Sequence, residues 1–179
     1  MLKFHEDIDE ILLPEEIIQS KIKELAAQVS KDYQNEVLHL ITILKGAFIF
    51  LADFSRALTI QATLDFMVVS SYEGKGEVRI LKDLNHPIHG RHVLIIEDIL
   101  DQGRTLQTLM KSLIYQNPAS LKVCTLLQKP SKQKGGMVSH YNGFTIPDKF
   151  VVGYGLDYHE KYRDLPYIAT LRKEVYQRF

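Results

Sequence analysis

Apolar residues follow two different periodicities along this chain. Nearly continuous apolar runs occupy residues 36–44, 62–70, 93–96 and 122–128, and each is short enough to form one strand. Runs of this kind are typical of strands that are buried on both faces of a parallel sheet. A further short strand is predicted over residues 77–81.

Helical periodicity appears between these runs. After Leu13, Pro14 and two acids indicate the start of a helix, because proline suits the first turn and acids suit the positive end of the helix dipole. The apolar stripe that follows comprises Ile18, Ile22, Leu25, Ala26 and Val29. The same spacing predicts a helix over residues 105–115, and a short helix is predicted to end near Phe54. The pattern favours an α/β fold with a mostly parallel sheet flanked by helices.

One stretch, residues 93–106, organises the candidate chemistry. Its buried strand ends among Glu97, Asp98 and Asp101, and a loop containing Gly103 then enters the helix. The carboxyl end of a strand is where open α/β sheets bind their ligands. We therefore expect these three carboxylates to line a binding site.

The loop at residues 102–105 suits a phosphate group. Free backbone N–H groups and the positive end of the helix dipole can hold the anion, and the Thr105 hydroxyl is an added donor. Glu97 and Asp98 are acceptors for a vicinal diol or for a hydrated metal. A phosphate site beside a diol site predicts a ribose 5-phosphate ligand. The alternative is that the acids only cap the helix, but three acids beside a glycine-containing loop favour function.

Composition narrows the class of protein. The chain has 179 residues, enough for one domain with a substantial core, and its 22 basic and 22 acidic residues balance. This balance gives no global field that would recruit nucleic acid or a membrane. The single cysteine, Cys124, and His39 lie within apolar runs, and both are predicted to be core residues. Without a secretory signal or a membrane-length apolar run, the expected location is cytoplasmic.

Two lysines at strand ends are further candidates. Lys45 and Gly46 follow the strand at residues 36–44, and a cation beside a bare amide suits an anion. Lys129 follows the strand at residues 122–128 and would donate into the same crevice. The alternatives are a lysine that extends into water at residue 45 and a basic surface loop from residue 129 onward.

Residues 97–106 resemble the phosphoribosyl pyrophosphate signature of the type I phosphoribosyltransferases. Residues 146–157 and 158–166 resemble the purine-binding segment of members that act on 6-oxopurines and the segment after it. The resemblance covers nearly the whole chain after residue 36, and it implies a single domain, 1–179, with a small hood formed by the N-terminal segment and the segment after about residue 130. It also implies a homodimer or homotetramer and a purine-salvage transferase activity, in which hypoxanthine or guanine receives the phosphoribosyl group and pyrophosphate is released.

The resemblance implies a role for each matching residue. Asp101 is the general base, and magnesium is held by Asp157, with Glu97 and Asp98 acting on the metal through water or on the ribose hydroxyls. Lys129 binds the purine 6-oxygen, Phe150 stacks on the base and Val151 contacts the base edge through its backbone. The remaining substrate-binding residues are Lys45, Gly46 and Arg163 for pyrophosphate, Ser71 and Tyr72 for a lid, and Ile99, Leu100, Gln102, Gly103, Arg104 and Thr105 in the signature itself. The Leu44–Lys45 peptide is cis in this family.

The chain departs from the family pattern at two places. Gln102 stands where a threonine or serine usually offers a hydroxyl, and the lid that begins at Ser71 is several residues short. Without the resemblance, Phe150 reads equally well as a core residue, Val151 as an ordinary strand residue and Asp157–Arg163 as an ion pair.

Other functions stay open at this point. The same chemistry with xanthine is one alternative, and a non-catalytic regulatory relative that binds nucleotide or RNA is another. A nicotinamide-dependent enzyme is disfavoured, because no Gly-x-Gly-x-x-Gly follows the first strand.

Overall fold

A computed structural model describes residues 6–71, 78–130 and 139–176. Its strands are β1 (Ile8–Leu13), β2 (Leu38–Leu44), β3 (Ala62–Ser71), β4 (Val78–Lys82), β5 (His92–Leu100), β6 (Ser120–Gln128), β7 (Tyr141–Thr145), β8 (Val151–Val152) and β9 (Ile168–Leu171). Its helices are α1 (Glu15–Asp32), α2 (Phe48–Ala57), α3 (Arg104–Ile114) and α4 (Lys173–Tyr176). None of the helices in these ranges is long and apolar enough to span a membrane.

A six-stranded sheet with the order β4-β3-β2-β5-β6-β7 forms the centre of the fold. Adjacent strands of this sheet are parallel, except that β4 is antiparallel to β3. The central strands β2 and β5 are buried on both faces, since Leu40, Ile41, Leu94 and Ile95 are all at most 1% exposed. The predicted mostly parallel sheet is therefore confirmed.

The predicted element bounds need small corrections. The first central strand begins at Leu38 instead of residue 36, and α2 continues to Ala57 beyond the predicted end at Phe54. The helix after the signature loop begins at Arg104. β5 runs through both acids to Leu100, so Glu97 and Asp98 lie within the strand and not after it. Strand pairing decides this, because β6 stays in register with β5 as far as Leu100.

Helices cover the two faces of the sheet with separate apolar cores. The predicted stripe of α1, from Ile18 to Val29, is buried against α2 and one face. The stripe of α3, formed by Leu106, Leu109 and Leu113, packs on the other face. Helices on both faces explain why the central strands are apolar throughout.

A second, three-stranded antiparallel sheet with the order β1-β9-β8 joins distant parts of the sequence. Ile8 pairs with Leu171, and Val151 pairs with Thr170. The side chains of Ile8, Val152, Tyr167 and Ala169 are at most 1% exposed beneath this sheet. Strand β1 is therefore fixed against the C-terminal strand β9.

Two predicted core residues are buried as expected. Cys124 is fully buried, and burial raises the pKa of its thiol. His39 is 1% exposed, and its Nδ1 lies 2.7 Å from Thr63 Oγ1. Burial lowers the pKa of His39, which keeps the ring neutral.

Asp65 is a fully buried carboxylate that holds the loop after β4. It accepts hydrogen bonds from the backbone N–H groups of Phe66, Asn85 and His86 at 2.8, 2.7 and 3.3 Å. Burial alone would raise the pKa of Asp65, but these bonds and the charge of Lys82 lower it. The ionised carboxylate thus stabilises the fold.

We expect Asp65→Asn to lower the free energy of unfolding at pH 7 by about 1.5–3 kcal/mol, because one charged acceptor of several hydrogen bonds is lost. The pKa of Asp65 is lower in the fold than in the unfolded chain. The difference between variant and wild type is therefore full above about pH 4 and shrinks as the pH falls through the folded-state pKa. Urea unfolding at several pH values measures it. Asp83→Asn, an exposed position whose amide oxygen can still accept from Leu84 N–H, is the matched control; an equal loss in both variants would contradict the assignment.

Candidate active site

Three neighbouring strands deliver candidate residues to one edge of the central sheet. β2, β5 and β6 are adjacent and parallel, so their carboxyl ends meet at the same edge. Lys45 follows β2, Asp101 follows β5 and Lys129 follows β6. The backbone N–H of Lys129 donates to the Leu100 carbonyl at 3.0 Å, which ties the last two loops together.

The signature loop leaves the N-terminus of α3 open to a ligand. Gly103 adopts a left-handed conformation, with φ of 71°, and starts the helix by accepting from Gln107 N–H at 2.8 Å. Among the residues that the structure describes, no side chain caps this helix end, and the first turn of the helix carries no acid. The alternative that the acids cap the helix is therefore wrong, and the first N–H groups stay available. Gln102 and Arg104 are exposed here, and Thr105 is half-buried.

Asp101 presents an unsatisfied acceptor at this edge. Its Oδ1 is buried and has no hydrogen-bond partner within residues 6–71, 78–130 and 139–176. A buried carboxylate oxygen without a donor costs free energy, so its retention indicates a ligand that supplies the donor.

Glu97 and Asp98 form a coupled acid pair. Burial raises the pKa of Asp98 to about 6. Two groups oppose this rise: the Ile99 N–H, which donates to Asp98 Oδ1 at 2.7 Å, and the positive charge of Arg163. Burial and the charge of Asp98 raise the pKa of Glu97 well above its ordinary value. Hydroxyl groups that donate to these carboxylates, or a cation that binds beside them, would therefore favour their ionised form.

Gly46 is a point of close contact between three segments, which we call the Gly46 junction: the loop after β2, the end of β5 and the loop at residues 153–157. A Cβ atom on Gly46 would collide with the Asp98 carboxylate. A Cβ atom on Gly155, which has φ of 100°, would collide with the Gly46 carbonyl. The Leu44–Lys45 peptide is cis, in agreement with the family resemblance. Only glycine at both positions allows this packing.

An ion-pair network crosses the Gly46 junction. Lys45 Nζ donates to Glu160 Oε2 at 2.8 Å. Arg163 donates to the Gly155 carbonyl at 2.7 Å, lies 2.8 Å from Asp157 Oδ1 and lies 3.3 Å from Glu160 Oε1. Hydrogen bonds from Lys45 and Arg163 lower the pKa of Glu160. The Asp157–Arg163 ion pair is thus present, and Glu160 links Arg163 to Lys45.

A third group of residues forms the candidate base site. Lys129 is 6% exposed, with its Nζ 3.8 Å from Asp148 Oδ1, so it does not belong to a basic surface loop. Phe150 is 51% exposed and meets Tyr158 edge-on with ring centroids 5.7 Å apart, so it is not a core residue. Val151 is buried in β8, with its backbone paired to Thr170. An exposed aromatic face and a buried cation are the kinds of group that suit a flat, polar base.

Sequence reasoning missed three residues at this site. Tyr158 packs against Phe150, and Glu160 contacts both Lys45 and Arg163. Tyr154 donates to Asp53 Oδ2 at 2.5 Å and so anchors the loop at residues 153–157 to α2. The sequence offered one signal for Tyr158 and Glu160: both lie close to Asp157, in the segment 158–166 that resembles the family. Of the predicted lid residues, Ser71 is the last residue of β3, and Tyr72 lies outside the described residues.

The donor set fits magnesium bound together with a phosphorylated substrate. Within the part of the chain that the structure describes, no group of three or more acidic, histidine or cysteine side chains forms a preassembled metal cage. Asp157 offers one half-buried carboxylate beside Arg163. Magnesium in phosphate-handling sites takes one or two carboxylates and completes its shell with phosphate oxygens and water.

Comparisons with known proteins agree with this geometry. A family model described as the phosphoribosyl transferase domain matches residues 9–159. The hypoxanthine-guanine phosphoribosyltransferase of Mycobacterium tuberculosis is 50% identical over 181 aligned positions, which cover 96% of this chain and 90% of that protein. The chain belongs to the phosphoribosyltransferase family, as its signature and fold indicate.

Solved structures give the same result. A crystal structure of a hypoxanthine phosphoribosyltransferase from Staphylococcus aureus superposes with a TM-score of 0.94 at 49% identity and covers 96% of both chains. The hypoxanthine phosphoribosyl transferase of Trypanosoma cruzi superposes with a TM-score of 0.93 at 41% identity, covering 98% of this chain and 97% of that one. The type I phosphoribosyltransferase fold is therefore shown for this chain.

We expect Gly46→Ala to lower the free energy of unfolding by about 1–3 kcal/mol, because the new methyl group is forced into the Asp98 carboxylate. Urea unfolding measures the loss. In the Asp98→Ala background the space is free, so the same substitution should cost much less, and the two effects should not add. Equal costs in both backgrounds would show that the contact with Asp98 is not the cause.

Proposed function

We propose that this protein is a hypoxanthine-guanine phosphoribosyltransferase, which transfers the 5-phosphoribosyl group of phosphoribosyl pyrophosphate to a 6-oxopurine and releases pyrophosphate. The observation that carries the proposal is that three candidate binding groups lie at one edge of the central sheet. An open helix N-terminus follows β5, the buried Lys129 follows β6 and the exposed Lys45 follows β2, and these three strands are neighbours in the sheet. The relatives named above are phosphoribosyltransferases that act on purine bases.

The signature loop holds the sugar phosphate. The 5-phosphate accepts from the first N–H groups of α3, with the Thr105 hydroxyl as a further donor and Gln102 in place of the usual hydroxyl. Ile99 and Leu100 belong to the same binding segment. Glu97 and Asp98 accept from the ribose hydroxyls or hold a metal-bound water, and their negative charge offsets positive charge that develops on the sugar.

The reaction is a displacement at the anomeric carbon of the ribose. The purine N9 forms a bond to that carbon as the bond to pyrophosphate breaks, through an oxocarbenium-like state. Asp101 accepts the proton from N7 of the base, which lets N9 attack. This role matches its buried, unsatisfied Oδ1.

Pyrophosphate leaves toward Lys45, the amide of Gly46 and Arg163. Asp157 would hold magnesium, and the metal would supply positive charge that neutralises the departing group. Removal of the metal with a chelator should therefore stop turnover.

Base recognition falls to Lys129, Phe150 and Val151. The Lys129 ammonium donates to the 6-oxygen of hypoxanthine or guanine, and Phe150 stacks on the ring. In adenine an amino group replaces that oxygen, so two donors would face each other. Xanthine differs from guanine at another edge, and its acceptance is the open alternative.

The proposal also covers the domain organisation, the assembly and the location of the protein. The chain acts as one domain, residues 1–179, in which the small sheet forms a hood over the site and the lid at Ser71 and Tyr72 excludes water. By resemblance to its family it assembles as a homodimer or homotetramer in the cytoplasm. A regulatory, non-catalytic role is disfavoured because Asp101 is retained.

The direct test is pyrophosphate release with phosphoribosyl pyrophosphate, magnesium and one of five bases. We expect turnover with hypoxanthine and guanine and at least about 10²-fold lower kcat/KM with adenine, because the mismatched donors are buried. Uracil should be inactive, and the xanthine rate decides the remaining specificity. Tight binding of a purine nucleotide without turnover on any base would show a regulatory binding protein instead.

We expect Asp101→Asn to lower kcat by about 10²- to 10⁴-fold, because the amide cannot take the N7 proton. Binding of the nucleotide product, measured by calorimetry, should change little. Asp9→Asn, an exposed aspartate on β1, is the control for the substitution itself. Equal losses of binding and turnover would mean that Asp101 has a structural role.

A further inference from the structure

Glu160 occupies the space between the two side chains that the proposed function gives to pyrophosphate. Its two carboxylate oxygens lie 2.8 Å from Lys45 Nζ and 3.3 Å from Arg163 Nη2. Lys45 and Glu160 are 115 positions apart in the sequence, so the fold brings them together across the Gly46 junction. A carboxylate placed between two cations takes the position that a phosphate oxygen would need.

The backbone fixes this position of Glu160. His159 and Glu160 both have positive φ, 51° and 64°, in a tight turn closed by two hydrogen bonds between Tyr158 and Lys161. The Glu160 N–H also donates to Asp157 Oδ2 at 2.9 Å. The turn therefore fixes the Glu160 backbone at a position from which its carboxylate reaches both cations.

The same network engages the residue assigned to magnesium. Asp157 Oδ1 lies 2.8 Å from Arg163, while its Oδ2 accepts from Glu160. When Arg163 turns to pyrophosphate, one Asp157 oxygen becomes free for another ligand.

From these contacts we infer that Glu160 is an internal competitor for the pyrophosphate site: its carboxylate neutralises Lys45 and Arg163 in the free protein and must be displaced when the pyrophosphate group binds. The inference rests on the proposed function. It makes Glu160 a determinant of affinity for phosphoribosyl pyrophosphate and for the pyrophosphate product. The repelled carboxylate then favours release of that product.

The exposure of the Lys45 and Glu160 side chains determines how strongly the competition should affect pyrophosphate affinity. The Lys45 and Glu160 side chains are both 64% exposed, and ion pairs in water are weak. Displacement is therefore cheap, and the competition should alter affinity by about two- to five-fold.

The test compares Glu160→Gln with wild type by calorimetric titration of inorganic pyrophosphate in the presence of magnesium. We expect the Kd of pyrophosphate to fall by about two- to five-fold, because glutamine keeps the shape but removes the charge. The KM of phosphoribosyl pyrophosphate should fall in parallel, while the KM of hypoxanthine stays the same. Glu24→Gln removes the charge from another exposed pair, Glu24–Lys21 at 2.6 Å on α1, and should leave pyrophosphate affinity unchanged.

Each contrary result has a distinct meaning. An unchanged or weaker affinity in Glu160→Gln, with an active wild type, would overturn the inference and leave the proposed function intact. Failure of the wild type to bind pyrophosphate and to turn over any base would overturn the proposed function, and the inference with it. In a Lys45→Met background the effect of Glu160→Gln should shrink, since the main partner of the carboxylate is gone.

Discussion

The close contact at the Gly46 junction is the constraint on which the rest of the site depends. Asp98 and the Gly155 loop approach Gly46 so closely that a single additional carbon on Gly46 or Gly155 would not fit. The junction thereby fixes the acid pair of β5, the cation of the loop after β2 and the carboxylate Asp157 relative to one another. Tyr154 strengthens it from outside through its hydrogen bond to Asp53 on α2.

The site concentrates groups that oppose stable folding. Glu97 and Asp98 are held where burial raises both pKa values, and Asp101 keeps a buried oxygen without a donor in the described part of the chain. Such groups are costly unless a ligand satisfies them. By contrast, Asp65 is more completely buried but receives several backbone hydrogen bonds, so its charge stabilises the loop that it contacts. The difference separates a carboxylate that serves binding from one that serves the fold.

Features encoded by local pattern could be predicted from the sequence. The central strands, the stripe of α1 and the lysines at strand ends follow from runs of neighbouring residues. The small sheet could not be predicted from periodicity, because β8 has only two residues and β9 four. Glu160 was missed for a related reason: its contact with Lys45 joins residues 115 positions apart, and no local pattern reports it. The position of Glu97 and Asp98 inside β5 also depends on pairing with β6, which lies later in the chain.

The pairing of β1 with β9 also has a consequence for the order in which parts of the protein fold during synthesis. Residues 92–114, which include the signature loop, can associate with β2 as soon as they have left the ribosome. The strand that carries Val151 finds its neighbour only when residues 168–171 arrive and pair with residues 8–13. The small sheet that contains β8 is therefore completed last during synthesis, and until then β1 remains an unpaired edge that is open to incorrect partners.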